Sequence, residues 1–146
     1  MLKKKSFCIV CIANYCRSPV VEVMLNSKYK EKYEFFSAGI SPIFQPGMDP
    51  RSLKFLNSLN ISSKIHTPKN LNKKIFEYFD YFLAVDLFVL NELNTRHKKY
   101  RNKFRLLTSQ FNNIDIIDPY KFDDENYIEV MKDIAKVVEC INLENI

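Results

Sequence analysis

The chain has 146 residues, 47% of them hydrophobic, which is enough apolar material for one domain around one core. Average usage of about 7% predicts about ten glycines, but only two are present, and neither common glycine-rich nucleotide-binding motif occurs. No apolar run approaches the roughly 18 residues that a membrane helix needs. We therefore expect a single domain over residues 1–146, with no membrane insertion and no dinucleotide or NTP site.

The net charge is +5, from 22 basic and 17 acidic residues, which suits an anionic partner. The two densest basic clusters, residues 3–5 and 97–101, are short and far apart in sequence. No aromatic RNA-binding signature lies between them, so a nucleic-acid partner is not expected. A nucleic-acid binder would instead show an affinity that falls steeply with salt.

Four cysteines stand at positions 8, 11, 16 and 140. Residues 3–13 imitate a secretory signal, but the apolar stretch has only seven residues and no A-x-A cleavage site follows it. We therefore expect a cytoplasmic protein with reduced cysteines, of which Cys8 and Cys140 lie in the core.

The first predicted elements are a strand and a helix. Residues 6–11 are apolar almost throughout, which is typical of a strand that is covered on both faces. Ser18 followed by Pro19 predicts the start of a helix, with Ser18 as its cap and Glu22 in its first turn.

Short apolar runs and helical patterns alternate along the rest of the chain. Strands are predicted at 33–37, 81–85 and 104–107, and helices from Asp49-Pro50, over 86–97, and from about residue 124 to the C-terminus. This alternation predicts a parallel sheet with helices on both faces and right-handed crossovers. Ligands of such folds bind beyond the carboxyl ends of the strands.

Cys11 ends the first strand and Arg17 begins the first helix, so the two residues flank a short loop. The five residues between them can curl so that successive N–H groups face one point and bind an anion, and the loop consists of Ile12, Ala13, Asn14, Tyr15 and Cys16. The N-terminus of the helix adds its positive dipole end. Arg17 can grip two phosphate oxygens at once.

The same groups would stabilise a thiolate at Cys11, the form of cysteine that acts as a nucleophile. Ser18 is placed to donate a further hydrogen bond to the sulfur. Asn14 tolerates the left-handed backbone that a tight curl requires.

A zinc site is the competing interpretation, because Cys8 and Cys11 have zinc-knuckle spacing. Two residues three apart on a strand point to opposite faces, however, and no second pair of ligands follows. We therefore expect no metal.

These residues resemble the motifs of a known family. Residues 10–19 closely resemble the phosphate loop of the low-molecular-weight protein tyrosine phosphatases, and residues 36–39, 49–51, 83–86 and 118–120 are similar to further motifs of that family in the same order. The resemblance covers nearly the whole chain. It implies an α/β single-domain three-layer sandwich, a four-stranded parallel sheet of order 2-1-3-4 flanked by helices on both faces.

The resemblance also implies a mechanism. Cys11 would attack phosphorus and form a cysteinyl-phosphate, while Arg17 and the loop N–H groups hold the phosphoryl oxygens. Asp118 would protonate the leaving phenolate and then take a proton from water, with Asp115 as the fallback acid. Ser18 would help the thiolate to leave. The expected substrate is a phosphotyrosine protein or peptide and the product is inorganic phosphate, with no cofactor; the oligomeric state is not indicated.

Further residues are expected to support the site, and the resemblance implies the roles of Ser37 and His66. Tyr120 is expected to form one wall of the cleft, and Ile43 with Phe44 the facing wall. Ser37 and His66 would brace Asn14. Cys16 would capture an oxidised Cys11 as a disulfide. His97 is expected to face solvent.

Three positions depart from the family pattern. Ala13 replaces the usual glycine, at a cost of about 1 kcal/mol if a positive φ is needed there. Lys121 replaces an aromatic residue and makes the rim more basic, which favours acidic peptides. Tyr15 replaces a smaller aliphatic residue. Relatives that act on phosphoarginine carry a small polar residue there, so Tyr15 argues against that substrate.

Two other functions compete with this one. A thioredoxin-coupled arsenate reductase shares the fold and loop but needs two more cysteines after the third strand, and none lies between Cys16 and Cys140. A phosphate- or phosphopeptide-binding module with little turnover would not need both Cys11 and Asp118.

Overall fold

A four-stranded parallel sheet with strand order β2-β1-β3-β4 organises the protein, whose computed structural model describes residues 2–146. The strands are β1 (Lys5–Cys11), β2 (Tyr33–Gly39), β3 (Tyr81–Ala84) and β4 (Phe104–Leu106). The α-helices are α1 (Ser18–Tyr29), α2 (Pro50–Ser58), α3 (Lys73–Tyr78), α4 (Leu87–Arg96) and α5 (Asp124–Cys140), with 3₁₀ turns at Lys98–Lys103 and Leu143–Asn145. The predicted fold class and strand order are confirmed.

Strand β1 lies between β2 and β3, and all of its residues after Lys5 are buried. Its aromatic neighbours show which helices cover each face. Phe7 stacks between Phe35 and Tyr81 at 5.7 and 5.8 Å, on the face that α1 and α5 cover. Phe82 lies on the opposite face, where Phe76 of α3 packs against it at 5.1 Å. Helices therefore flank the sheet on both faces, and the carboxyl end of β1 opens between the two layers.

Side-chain caps begin four of the five α-helices. Asp49, Asn72, Asp86 and Asp123 each accept a hydrogen bond from a backbone N–H in the first turn of α2, α3, α4 and α5. The helix α1 is the exception. Its N-cap is Arg17, without a side-chain cap, so the predicted capping by Ser18 is wrong. Glu22 also lies outside the first turn.

Several other local expectations need correction. Helix α3 and the two 3₁₀ turns were not indicated by the sequence pattern. Helix α5 ends at Cys140 because Ile141 is extended, and Cys140 is exposed rather than in the core. His97 is only partly exposed, since its ring packs 4.5 Å from that of Phe76. Across residues 2–146, no helix combines the length and apolar character that crossing a membrane requires.

Candidate active site

The carboxyl end of β1 opens into a cavity of about 240 Å³. Eight of the ten predicted site residues line it together with Ile43: Cys11, Ile12, Ala13, Tyr15, Cys16, Arg17, Asp118 and Tyr120. The other two, Asn14 and Ser18, are fully buried behind the loop. Residues that are more than 100 positions apart in the chain therefore meet at one site.

The sulfur of Cys11 lies at the floor of this cavity, with 2% of the residue exposed. The backbone N–H of Asn14 donates a hydrogen bond to Sγ at 3.2 Å, and the hydroxyl of Ser18 lies 2.9 Å from it. The N-terminus of α1 follows directly. All three features direct hydrogen-bond donors or the positive end of a helix dipole at the sulfur.

A buried network determines which way the Ser18 hydroxyl points. Asn14 Oδ1 accepts from the backbone N–H of Lys69, so Nδ2 of Asn14 donates, to Ser18 Oγ at 2.8 Å and to Ser37 Oγ at 2.9 Å. Since Ser18 Oγ already accepts this bond, its one proton is free for Cys11. Ser37 in turn donates to Glu22 at 2.5 Å, and burial raises the pKa of Glu22. The sulfur is thus an acceptor of two hydrogen bonds.

The loop after Cys11 presents unused donors. Within residues 2–146, the backbone N–H groups of residues 12, 13, 15, 16 and 17 donate to no protein acceptor. Asn14 adopts φ 53°, which is the left-handed conformation predicted for the curl. Ala13 is not among the described residues with positive φ, so the strain expected for alanine at this position does not arise.

Arg17 is almost completely buried, and its guanidinium is held from behind. Nη1 donates to Asp86 Oδ2 at 2.6 Å and to the carbonyl of Ile116 at 2.7 Å. Nε and Nη2 have no such partner, yet every fully buried side-chain nitrogen and oxygen in the described chain has one. These two nitrogens are therefore reached from the cavity, and they form the planar pair of donors that binds phosphate oxygens. Sequence reasoning did not predict that Asp86 binds Arg17. The one sequence feature that could have indicated it is the position of Asp86 just after β3, at the same edge of the sheet as the phosphate loop.

Two further contacts shape the loop from outside. His66 Nε2 lies 2.7 Å from the carbonyl oxygen of Asn14, and Ser37 bonds the Asn14 side chain, as the resemblance implied. Burial lowers the pKa of His66. Gly39 faces the loop so closely that a Cβ there would lie 2.6 Å from the carbonyl oxygen of Ile12. Sequence reasoning did not identify this need for glycine.

The mouth of the cavity is aromatic and acidic. The rings of Tyr15 and Tyr120 meet edge to face at 6.2 Å, and Tyr120 is half exposed. Asp118 is exposed, and its Oδ1 accepts from the N–H of Tyr120 at 3.2 Å. Phe44 is fully exposed and does not line the cavity, so its expected place in the facing wall is wrong.

The other acid and thiol side chains named by the sequence analysis differ in their surroundings. Asp115 accepts from the N–H of Leu87 and does not line the cavity, which disfavours it as the fallback acid. Cys16 is buried, which raises its pKa to about 12, and its sulfur lies 3.8 Å from Asp49 Oδ2. Its pairing with an oxidised Cys11 stays a prediction. Cys8 is completely buried, as expected. Among residues 2–146, no group of three or more His, Cys, Asp or Glu side chains could hold a metal ion.

A larger cavity of about 560 Å³ lies between α2 and α5. Its lining is apolar with basic residues at the rim, and it contains no cysteine, serine–cysteine pair or loop of free amides. The smaller cavity is therefore the candidate active site, because the nucleophile and the anion donors converge there.

A parallel α/β sheet whose central strand ends in a buried cysteine, followed by free amides and an arginine at a helix start, defines a phosphate-loop protein of the Cys-x5-Arg class. The family model described as "Low molecular weight phosphotyrosine protein phosphatase" matches residues 6–144. The chain belongs to this family.

Named relatives agree with this assignment. The low molecular weight protein-tyrosine-phosphatase Ptp of Acinetobacter johnsonii is 29% identical, over 86% of this chain and 87% of the relative. The low molecular weight phosphotyrosine protein phosphatase of Sus scrofa is 29% identical, over 84% of each chain. The low molecular weight protein-tyrosine-phosphatase Wzb of Escherichia coli K12 is 25% identical, over 84% of this chain and 82% of the relative.

Solved structures show the same fold. The tyrosine phosphatase Wzb from Escherichia coli K30, in complex with sulphate, has a TM-score of 0.85 at 20% identity and covers 94% of this chain and 95% of its own. Wzb of Vibrio vulnificus, in complex with benzylphosphonate, has a TM-score of 0.84 at 22% identity, and the match covers 94% of this chain and 96% of Wzb. The YwlE arginine phosphatase from Geobacillus stearothermophilus also has a TM-score of 0.84, at 22% identity, and the match covers 92% of this chain and 88% of the phosphatase.

Proposed function

We propose that this protein hydrolyses phosphotyrosine and related aryl phosphate monoesters through a cysteinyl-phosphate formed on Cys11. One observation carries the proposal above the others. The Cys11 sulfur accepts two hydrogen bonds at the floor of a cavity that five free loop amides, Arg17 and Asp118 surround. Such a site binds a dianion and holds a nucleophile against it, which a simple packing cysteine would not need.

In the first step, Cys11 attacks phosphorus in line and the phenolate departs. The N–H groups of Ile12, Ala13, Tyr15, Cys16 and Arg17, with Nε and Nη2 of Arg17, hold the equatorial oxygens. These donors are fixed before substrate arrives, so charge is stabilised in the transition state without reorganisation. Asn14 contributes through its left-handed backbone and its bond to the sulfur.

Asp118 is the proposed general acid. A phenolate is the base of an acid with a pKa near ~10 and leaves faster when it is protonated. Asp118 lines the mouth of the cavity, where the leaving oxygen emerges. In the second step the same carboxylate takes a proton from the attacking water, while Ser18 donates to the departing thiolate.

Tyr15 and Tyr120 favour a flat aromatic leaving group. Their rings form one continuous wall, and Ile43 lines the cavity as well, so a phenyl ring finds apolar surface over the phosphate site. The substrate would be a phosphotyrosine protein or peptide. Acidic residues beside the phosphotyrosine would be favoured, because Lys121 makes the rim of the cavity basic. We propose residues 1–146 as one phosphatase domain that acts in the cytoplasm, since Cys11 must stay reduced, and that needs no metal or cofactor.

Replacement of the nucleophile tests this proposal. Cys11→Ser should lower turnover of phenyl phosphate by at least about a thousandfold, because an alcohol at this position is a far weaker nucleophile. Binding of inorganic phosphate, measured by calorimetry, should persist because the loop amides and Arg17 remain. Rapid mixing of the wild type with an aryl phosphate should show a burst of phenol that Cys11→Ser lacks.

Cys140→Ser is the matched control, because Cys140 is exposed and far from the cavity. It should keep full activity. Turnover that survives in Cys11→Ser would refute the nucleophile assignment, whereas phosphate binding without turnover in the wild type would indicate a binding module.

A further inference from the structure

Arg51 lies in the first turn of α2, outside the phosphate loop and outside the segment that carries Asp118. Its side chain is 24% exposed. Its guanidinium carbon Cζ lies over the ring of Tyr127 in α5, 3.9 Å from the ring centroid. Nothing in the proposed reaction uses this arginine, although it makes more side-chain hydrogen bonds than any other arginine in the described chain.

One edge of the guanidinium grips Asp49. Nε donates to Asp49 Oδ1 at 3.1 Å and Nη2 to Oδ2 at 3.0 Å. Burial opposes ionisation of Asp49, but the hydrogen bonds from Arg51 outweigh it, so the pKa of Asp49 is lowered. The backbone N–H of Asp49 donates to the carbonyl of Tyr15 at 3.0 Å. Arg51 is thereby attached to the phosphate loop.

The other edge holds the segment that carries Asp118. Nη2 donates to the carbonyl of Tyr120 at 3.0 Å, and Nη1 donates to the carbonyl of Phe122 at 2.7 Å. Residues 117–122 make two further hydrogen bonds, both within the segment. Throughout residues 2–146, the two bonds from Arg51 are the only hydrogen bonds that residues 117–122 make to another part of the chain. On the N-terminal side, Ile116 is held by Val85 and Arg17, so Arg51 is the hydrogen-bonded anchor on the C-terminal side of Asp118.

We propose that Arg51 is the positioning residue for Asp118: it fixes residues 117–122 against the phosphate loop, so that the carboxyl group meets the leaving oxygen. This inference rests on the proposed function of Asp118 as general acid. Asp118 itself is exposed, and among residues 2–146 its side chain accepts a hydrogen bond only from Tyr120 of its own segment. Its place over Cys11 therefore depends on what holds the segment.

The geometry requires arginine rather than lysine. One planar guanidinium serves a carboxylate and two carbonyls at once, since its five donors point along fixed directions. A lysine ammonium could keep the ion pair with Asp49 but would not reach both carbonyls from one nitrogen. Arg51→Lys should therefore behave like a loss of positioning while it retains the charge.

A double-mutant cycle with Asp118 tests the proposal. Asp118→Asn is measured first and should lower kcat/KM for phenyl phosphate, which covers the steps up to phenol release, much more than kcat/KM for dinitrophenyl phosphate, whose leaving group needs no proton. Arg51→Met should then lower kcat/KM for phenyl phosphate by about 10- to 100-fold in the wild type, as misplacement of a catalytic group does. In the Asp118→Asn background the same replacement should cost less than about twofold, because the group that it positions is gone.

The two failures are distinguishable. If Asp118→Asn lowers kcat/KM for both substrates equally, the general-acid assignment fails. If Asp118→Asn behaves as expected but Arg51→Met costs the same factor in both backgrounds, or slows both substrates equally, the positioning role is overturned. Arg96→Met is the matched control, since Arg96 is 62% exposed and, within the described residues, forms an ion pair only with Glu92 on α4; it should change neither rate.

A second readout does not depend on catalysis. Lys121 lies within the segment and is exposed, so trypsin cuts after it when the segment leaves its place. Arg51→Met and Arg51→Lys should raise the rate of cleavage after Lys121 at least about fivefold, at a temperature where circular dichroism shows both variants folded. Unchanged cleavage in both folded variants would overturn the proposal.

Discussion

His66 shows how one half-buried side chain can make the stability of the fold depend on pH. Its Nε2 lies 2.7 Å from the carbonyl oxygen of Asn14, so this nitrogen carries a hydrogen and donates. Burial lowers the pKa of the ring, and Lys69 adds to this effect, although the bond to Asn14 opposes it. The fold therefore prefers the neutral ring.

The lowered pKa predicts the direction of the pH dependence. The unfolded chain binds a proton at His66 near pH ~6.5, above the folded value, so the free energy of unfolding falls as the pH drops from about 7 to 5. His66→Gln keeps a side-chain N–H but does not titrate, so it should lose less stability than the wild type over this interval. Urea denaturation at several pH values measures the difference.

His97→Gln provides the comparison, because burial lowers the pKa of His97 as well. This variant measures separately how much His97 contributes to the pH dependence of the free energy of unfolding. If His66→Gln and the wild type lose the same free energy between these pH values, the ring of His66 is not held neutral by the fold.

At the scale of elements, the end of β2 and the phosphate loop pack backbone against backbone. The N–H groups of Ile40 and Ser41 donate to the carbonyls of Cys11 and Ile12, and Gly39 passes directly beneath the loop. The loop is therefore shaped from β2 as well as from β1 and α1. A side chain at position 39 would push against a carbonyl oxygen that cannot rotate away.

Gly39→Ala should therefore damage the site and the fold together. A Cβ 2.6 Å from Ile12 O forces the backbone to shift, at a cost of about 1–3 kcal/mol in the free energy of unfolding. Phosphate affinity, measured by calorimetry on the folded variant, should fall as the loop amides move. Thermal unfolding gives the stability change.

Gly47 is the natural control, being the other glycine of the chain. It has φ +88° but open space around it, so Gly47→Ala strains only its own backbone, by about 1 kcal/mol. Phosphate affinity should stay at the wild-type value. An equal loss of affinity in both variants would show that the close approach at Gly39 is not the cause.

At the scale of the whole molecule, the excess of basic residues acts on substrates before they bind. A net charge of +5 attracts acidic peptides and repels basic ones over distances that salt controls, about 30 Å at 0.01 M and about 3 Å at 1 M. Chemistry inside the cavity is screened far less, because the phosphate donors are buried.

We therefore expect kcat/KM for an acidic phosphotyrosine peptide to exceed that for a basic peptide of equal length at low salt. The ratio should shrink several-fold between about 0.01 and 1 M salt, while kcat stays nearly constant. Steady-state assays with the two peptides measure both quantities. A ratio independent of salt would place the peptide preference in direct contacts at the rim instead.

The order of the elements and the centre of the site could be predicted from sequence because their signals are local. Residues 6–11 form a buried strand through their apolar character alone, and Asp49, Asp86 and Asp123 cap helices through bonds to N–H groups two or three residues on. Cys11 and Arg17 stand six positions apart, so one loop brings them to one anion site whatever surrounds them. Short-range geometry leaves few alternatives at these positions.

Contacts between distant residues required the folded chain. Arg17 contacts Asp86, and Gly39 lies against Ile12. Arg51 donates to the carbonyls of Tyr120 and Phe122. No local sequence pattern predicts any of these pairs. The fold also overrode a local rule, since Ser18 bonds the sulfur of Cys11 instead of capping α1. Ser18 and the start of α1 are both buried, and the sulfur of Cys11 is the partner that the fold brings to this hydroxyl, so tertiary packing decided where the side chain points.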